Sequence, residues 1–195
     1  MSKLYVDEIH PKTTGGIITT TGLSNIKEQF TLVANGESIT VPSGTYTSTN
    51  VTAAQLLTDS HVVINGSSLA YTPPSGTTDV IYEFSFTWQL YSTVIQLAHY
   101  AMRIDGTQIT GTRQTYSDAG TYDNQRLAFQ WRIPIGGSAS NTTGRVASWS
   151  SAKTIDMTMR RYNSSYTSQL HRSVYFDGGS VALVPQPIIK ITALG

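Results

Sequence analysis

The sequence predicts an all-β protein, an antiparallel β-sandwich of jelly-roll type carrying an extended N-terminal arm. Three observations lead there. Apolar residues alternate with polar ones at period two over long runs, whereas helical spacing is scarce. Turn pairs that tolerate positive φ punctuate the runs: Asn35-Gly36, Asn65-Gly66, Asp105-Gly106 and Asp177-Gly178. Ser and Thr together make up about a quarter of the chain, and these residues suit pleated surfaces and turns.

The elements follow in order. Residues 1–27 read as an arm, because short apolar pieces around Leu4, Val6 and Ile9 and at Ile17-Ile18 are broken by Pro11 and by Gly15-Gly16. Such a segment buries little by itself and needs a partner. Residues 28–195 read as the head domain. Short strands are expected at "QFTLVA", "ESITVP", "HVVIN", "SLAYTP" and "PIIKITAL", and one or two helical turns at "NVTAAQLL". The clearest strand is "VIYEFSFTWQL", which puts Val80, Tyr82, Phe84, Phe86, Trp88 and Leu90 on one face and Ile81, Glu83, Ser85, Thr87 and Gln89 on the other. Residues 91–104 are apolar on both faces, which predicts a strand buried on two sides or lying at a subunit interface. "IDGTQI" predicts a tight hairpin. In "RLAFQWRIPI" the ring of Pro134 cannot donate to a ladder, so that strand ends or runs along an edge there. "TIDMTMRRY" turns Ile155, Met157 and Met159 inward and Thr154, Asp156, Thr158 and Arg160 outward. "QLHRSVYF" sets Leu170, Val174 and Phe176 against His171, Ser173 and Tyr175.

Composition limits function. The net charge of +1 lacks the basic excess of a nucleic-acid binder. The charge is uneven, however: residues 1–100 carry −4 and residues 101–195 carry +5. There is no cysteine, which removes disulfides and thiolate chemistry. No apolar run reaches the ~18 residues of a membrane helix, and the polar, charged start lacks the apolar stretch of a signal peptide. The expectation is synthesis in a cytoplasm, with neither secretion nor membrane insertion.

Catalytic motifs are scarce. The sequence has no G-x-S-x-G, H-E-x-x-H or phosphate-loop pattern. His10, His61, His99 and His171 are at least 38 positions apart, so no local metal cluster is expected. His99 reads as an interior or interface histidine and His171 as a surface one. Glu83, Asp156 and Asp177 are the carboxylates available for a hydrolase pair, with Glu83 expected instead to pair with an arginine on a neighbouring strand. The expectation is a protein that is not an enzyme, with no cofactor and no metal. Tyrosine says more. Tyr116, Tyr122, Tyr162 and Tyr166, with Arg161, fall in polar, loop-like stretches whose Tyr, Ser, Asn and Arg content is that of recognition loops. They are the candidate ligand residues; the alternative is that these tyrosines cover loop bases or pack against a symmetry mate.

The opening "SKLYVDEIHPKTTGG" resembles the starts of virion structural proteins of tailed phages, cyanobacterial phages in particular. The segments "YTPPSGTTDVIYEFSF", "MRIDGTQI", "WSSAKTIDMTMRRYNSS" and "YFDGG", within residues 71–179, resemble trimeric jelly-roll heads of the tumour-necrosis-factor and C1q-like type. The resemblance implies a homotrimer on a virion surface, with Leu4, Tyr5, Val6, Asp7, Glu8, Ile9 and Pro11 anchoring it to phage capsid or tail proteins. In an extended arm Asp7 and Glu8 point to opposite sides, so they read as polar trim on a docking strand. The arm is short and no shaft repeat follows it, which favours a capsid decoration protein or short head fibre. The rival expectation is a receptor-binding fibre tip that holds host surface glycans through the tyrosine loops.

Overall fold

The computed structural model describes residues 26–91, 96–118, 121–176, 178 and 182–195. The anchoring residues Leu4 to Pro11 lie outside them. Fourteen strands follow in chain order: β1 (Ile26–Val33), β2 (Ser38–Val41), β3 (Gly44–Thr47), β4 (Gln55–Leu56), β5 (Val62–Val63), β6 (Leu69–Tyr71), β7 (Asp79–Tyr91), β8 (Gln96–Ile104), β9 (Thr107–Gln108), β10 (Gln114–Asp118), β11 (Thr121–Pro134), β12 (Lys153–Arg161), β13 (Ser168–Leu170) and β14 (Ile188–Leu194). One turn of 3₁₀ helix, Thr110–Thr112, is the helical element among the described residues.

All strand pairs are antiparallel, and they build two facing sheets. In the first, β1 pairs with β14, β14 with β7, and β11 runs along the full length of the other side of β7. The short β13 and β4 continue the β14 side of this sheet. In the second, β6 and β5 lie on one side of β12, and β8 on the other. β10 and β9 then pair with the far side of β8. The orders β1-β14-β7-β11 and β6-β12-β8-β10 give two four-stranded layers, and the chain crosses between the sheets from β4 to β5, β6 to β7, β7 to β8, β10 to β11, β11 to β12 and β12 to β13. This is jelly-roll winding. A separate hairpin, β2–β3, packs beside it.

The alternation in the sequence explains the core. Val80, Tyr82, Phe84, Phe86 and Trp88 of β7 are all essentially inaccessible, and Ile155, Met157 and Met159 of β12 face them with Ala98, Met102 and Ile104 of β8. Each such side chain contributes ~1.5–3 kcal/mol on burial. Aromatic rings follow one another along β7, Phe84 and Phe86 stacking at 5.2 Å. Two of the aromatic polar groups here are satisfied: the Tyr82 hydroxyl donates to the Ser67 carbonyl at 2.6 Å and the Trp149 indole N–H to the Tyr71 carbonyl at 2.9 Å. Glu28, buried on β1, accepts from the Tyr71 hydroxyl at 2.9 Å and from the Ser43 backbone N–H and hydroxyl at 2.9 and 2.6 Å.

Most of the strands expected from the sequence are present, and the hairpin at Asp105-Gly106 forms with φ of 48° and 76°. Pro134 is the last residue of β11, which is an edge strand. Three expectations are corrected. The "NVTAAQLL" segment has no helical turn, and its Gln55–Leu56 pair with β13 instead. The "QLHRSVYF" strand stops at Leu170, because His171 adopts φ 56° and turns the chain; Phe176 is consequently 78% exposed. His171 is not a surface residue but fully buried, its ring edge-on to Phe86 at 6.5 Å. Asp156 and Thr158, on the outward face of β12, are buried too. Arg103 closes over Asp156 with two bonds of 2.8 and 2.9 Å, and the Thr158 hydroxyl donates to the Ala101 carbonyl at 3.2 Å.

Candidate functional site

The outer face of the second sheet carries a row of side chains laid straight across the strands. Thr115 of β10 pairs with His99 of β8, and His99 pairs with Arg160 of β12. On the far side of β12, Thr158 and Met159 pair with Val63 and Val62, so the next step of the same register sets His61 against Arg160. Alternation turns these residues away from the core, since Ala98, Met157 and Met159 on the same strands point inward. Arg113, just before β10, together with Gln108 and Gln114, completes a concavity of about 370 Å³ that also touches Tyr100 and Ala101. That volume is within the range of small-ligand sites.

This concavity is electropositive. Its lining holds two arginines, two histidines and no carboxylate. The nearby Asp156 is taken up by Arg103, its bidentate partner. Among the described residues neither Arg113 nor Arg160 is in an ion pair. Arg113 donates from Nε to Gln108 Oε1 at 2.6 Å, and Arg160 from Nη1 to the carbonyls of Arg161 and Tyr162 at 3.3 and 3.2 Å. The positive field shows in the imidazoles. Burial lowers the pKa of His61, with further lowering by Arg160, His99, Arg103 and Arg113. Burial, then Arg160, lowers that of His99. Nδ1 of His99 meets the Thr115 hydroxyl at 2.9 Å.

Three of the five ligand residues expected from the sequence adjoin this row. Tyr162 is half exposed, its ring 5.9 Å from that of His99 and edge-on to Tyr166 at 5.7 Å. Arg161 points away from the concavity and ties the segment down, donating to Asp59 Oδ1 at 2.7 Å and to the Tyr166 carbonyl at 3.3 Å. The other two are not in loops. Tyr116 sits on β10, where alternation turns it inward: its ring lies edge-on to Trp88 at 4.9 Å and its hydroxyl donates to Gln125. Tyr122 belongs to β11, the polar start of which did not read as strand.

The sequence did not single out His61, Arg113, Arg160, Gln108 or Thr115 for this role. The signal present was the basic excess of the second half and the polar phase of "TIDMTMRRY". What joins them is register between strands far apart in the chain, which period-two patterning does not encode.

The carboxylates considered for hydrolysis are separated. Glu83 faces outward from the first sheet and pairs across strands as expected, with Lys190 of β14 at 2.8 Å where an arginine was expected. Asp156 faces outward from the second, so the two lie on opposite sides of the sandwich and cannot flank one glycosidic bond. Asp177 lies outside the described residues. Among the described residues no group of three His, Asp or Glu side chains is placed to hold a metal ion.

Fold and site together define an antiparallel jelly-roll sandwich with a basic concavity on one outer face. No known family profile matches the chain, and no curated protein matches it. Solved structures do. A structure of the infectious bursal disease virus Gt strain aligns with a TM-score of 0.39 and 12% identity over 98% of this chain and 43% of that one. A VP2 subviral particle of infectious bursal disease virus aligns with a TM-score of 0.38 and 10% identity over 98% of this chain and 42% of that one. The chain spans about two fifths of the length of these viral chains.

Proposed function

We propose that this protein is a non-enzymatic surface protein of a tailed-phage virion, a homotrimer attached through residues 1–27 and displaying its jelly-roll head as a capsid decoration protein or short head fibre. The observation that carries this reading is the polarity of the head. The chain enters at Ile26, which pairs with Leu194 and lies at the same end as Asp79 and Pro134. The basic row and Tyr162 are at the opposite end, where β7 hands over to β8. An arm docked on a particle would therefore hold the concavity outward. The resemblance of the opening segment to phage virion proteins supports the identity of that particle.

Deleting residues 2–22 tests the reading: the head should fold and stay in solution but no longer join particles. Normal incorporation of the truncated protein would overturn it. The Tyr162–Tyr166 pair beside the concavity favours a second reading, a receptor-binding fibre tip for host surface glycans. Purified protein should then bind host cells saturably, and Tyr162→Ala should weaken that binding; equal binding by the variant counts against it.

A further inference from the structure

We infer that the row His61–Arg160–His99–Thr115, with Arg113, binds the anionic group of an acidic saccharide, the sugar ring resting against Tyr162. This rests on the second reading above in taking the ligand to be a glycan, and it names the chemical class of that glycan.

Three features of the geometry point there. The concavity gathers Arg113 and Arg160 from separate elements, and neither meets a carboxylate among the described residues. Guanidinium groups left with spare N–H donors in a half-enclosed polar site suit sulfate, phosphate or carboxylate oxygens. His61 and His99 flank Arg160 on both sides, and no acid in the lining offsets the two guanidinium charges of Arg113 and Arg160. Like charges held together in this way repel, and an anion relieves the repulsion. Gln108, Gln114 and Thr115 add neutral donors and acceptors of the kind that meet sugar hydroxyls. Finally, Tyr162 offers a half-exposed aromatic face at the border of the row. The chain's net charge of +1 is unlike the footprint of a nucleic-acid binder.

The test uses the full chain and measures binding calorimetrically to dextran sulfate and to uncharged dextran of the same length, with inorganic phosphate and a single-stranded oligonucleotide of matched charge as competitors. The expected result is saturable binding of dextran sulfate, at least tenfold tighter than of dextran. Affinity should fall at least tenfold in the double variant Arg113→Gln/Arg160→Gln and severalfold in Tyr162→Ala. Both competitors should be weaker than dextran sulfate.

If dextran binds as well as dextran sulfate, the anionic assignment falls while the glycan reading stands. If dextran sulfate and dextran both fail to bind, the saccharide assignment falls. If phosphate or the oligonucleotide displaces dextran sulfate at equal concentration of charge, the site recognises charge alone and the saccharide assignment is overturned. A measurement on the unaltered protein guards against misfolded variants. Ring-proton resonances of His61 and His99 should shift on saturation with dextran sulfate while those of buried His171 stay in place. No shift at His61 and His99 would overturn the placement of the site.

Discussion

At the scale of single residues, His171 is the most informative. It is fully buried beside Phe86, and burial pushes its pKa down to about 4, from an ordinary 6.5. The folded state therefore holds the ring neutral, whereas the unfolded chain protonates it readily. Between these two values the unfolded state binds more protons, so stability is fully present above pH 6.5 and falls as pH drops towards 4. The difference amounts to about 3 kcal/mol. Urea midpoints measured between pH 7.5 and 4 should show this slope, and His171→Asn, which tolerates the same positive φ, should flatten it. Backbone geometry makes a second prediction. Gly66 has φ 79°, and a Cβ there would lie 2.7 Å from Pro187 Cγ and 2.8 Å from Ala34 Cβ. Gly106 has φ 76° and open space around it. Gly66→Ala should cost roughly 2–5 kcal/mol by denaturant unfolding, because strain and overpacking combine, and Gly106→Ala only about 1 kcal/mol.

At the scale of elements, β7 and β11 are neighbours with unequal duties. β7 is flanked on both sides and carries five buried apolar side chains, so Phe84→Ala should lower stability by about 3–5 kcal/mol in the same assay. β11 runs on an edge, and its Arg132 meets Asp79 from a largely exposed position; Arg132→Ala should leave the unfolding midpoint nearly unmoved. This contrast also explains what could be read from the sequence. β7 and β12 were legible because long apolar alternation has one structural solution. β3 and β10 were not: "GTYT" and "QTYSD" have too few apolar residues to declare a face, and they become strands only because a partner offers a ladder. β13 broke early because a buried histidine at positive φ leaves no mark on the alternation of its neighbours. Of the site, Arg161, Tyr162 and Tyr166 were legible from composition. His61, His99, Arg113 and Arg160 come together only through pairing between β5, β12, β8 and β10, so they were legible as residues and not as a group.

At the scale of the whole molecule, the trimer is a matter for solution mass: the proposal expects three copies at micromolar concentration, and a stable monomer would remove it. Of the 91–104 segment, expected as a strand buried on two sides or lying at a subunit interface, residues 96–104 are β8, whose inner face holds Ala98, Met102 and Ile104 and whose outer face holds His99 and Arg103. The pairing of Ile26 with Leu194 has a separate consequence. The head begins and ends on adjacent antiparallel strands, about 5 Å apart across the ladder, so its linear order is not essential to its architecture. A circular permutant of residues 26–195, closed there by a few Gly and Ser residues and reopened between Asp105 and Gly106, should fold to the same two sheets. Its far-ultraviolet dichroism and cooperative unfolding should match those of the parent head.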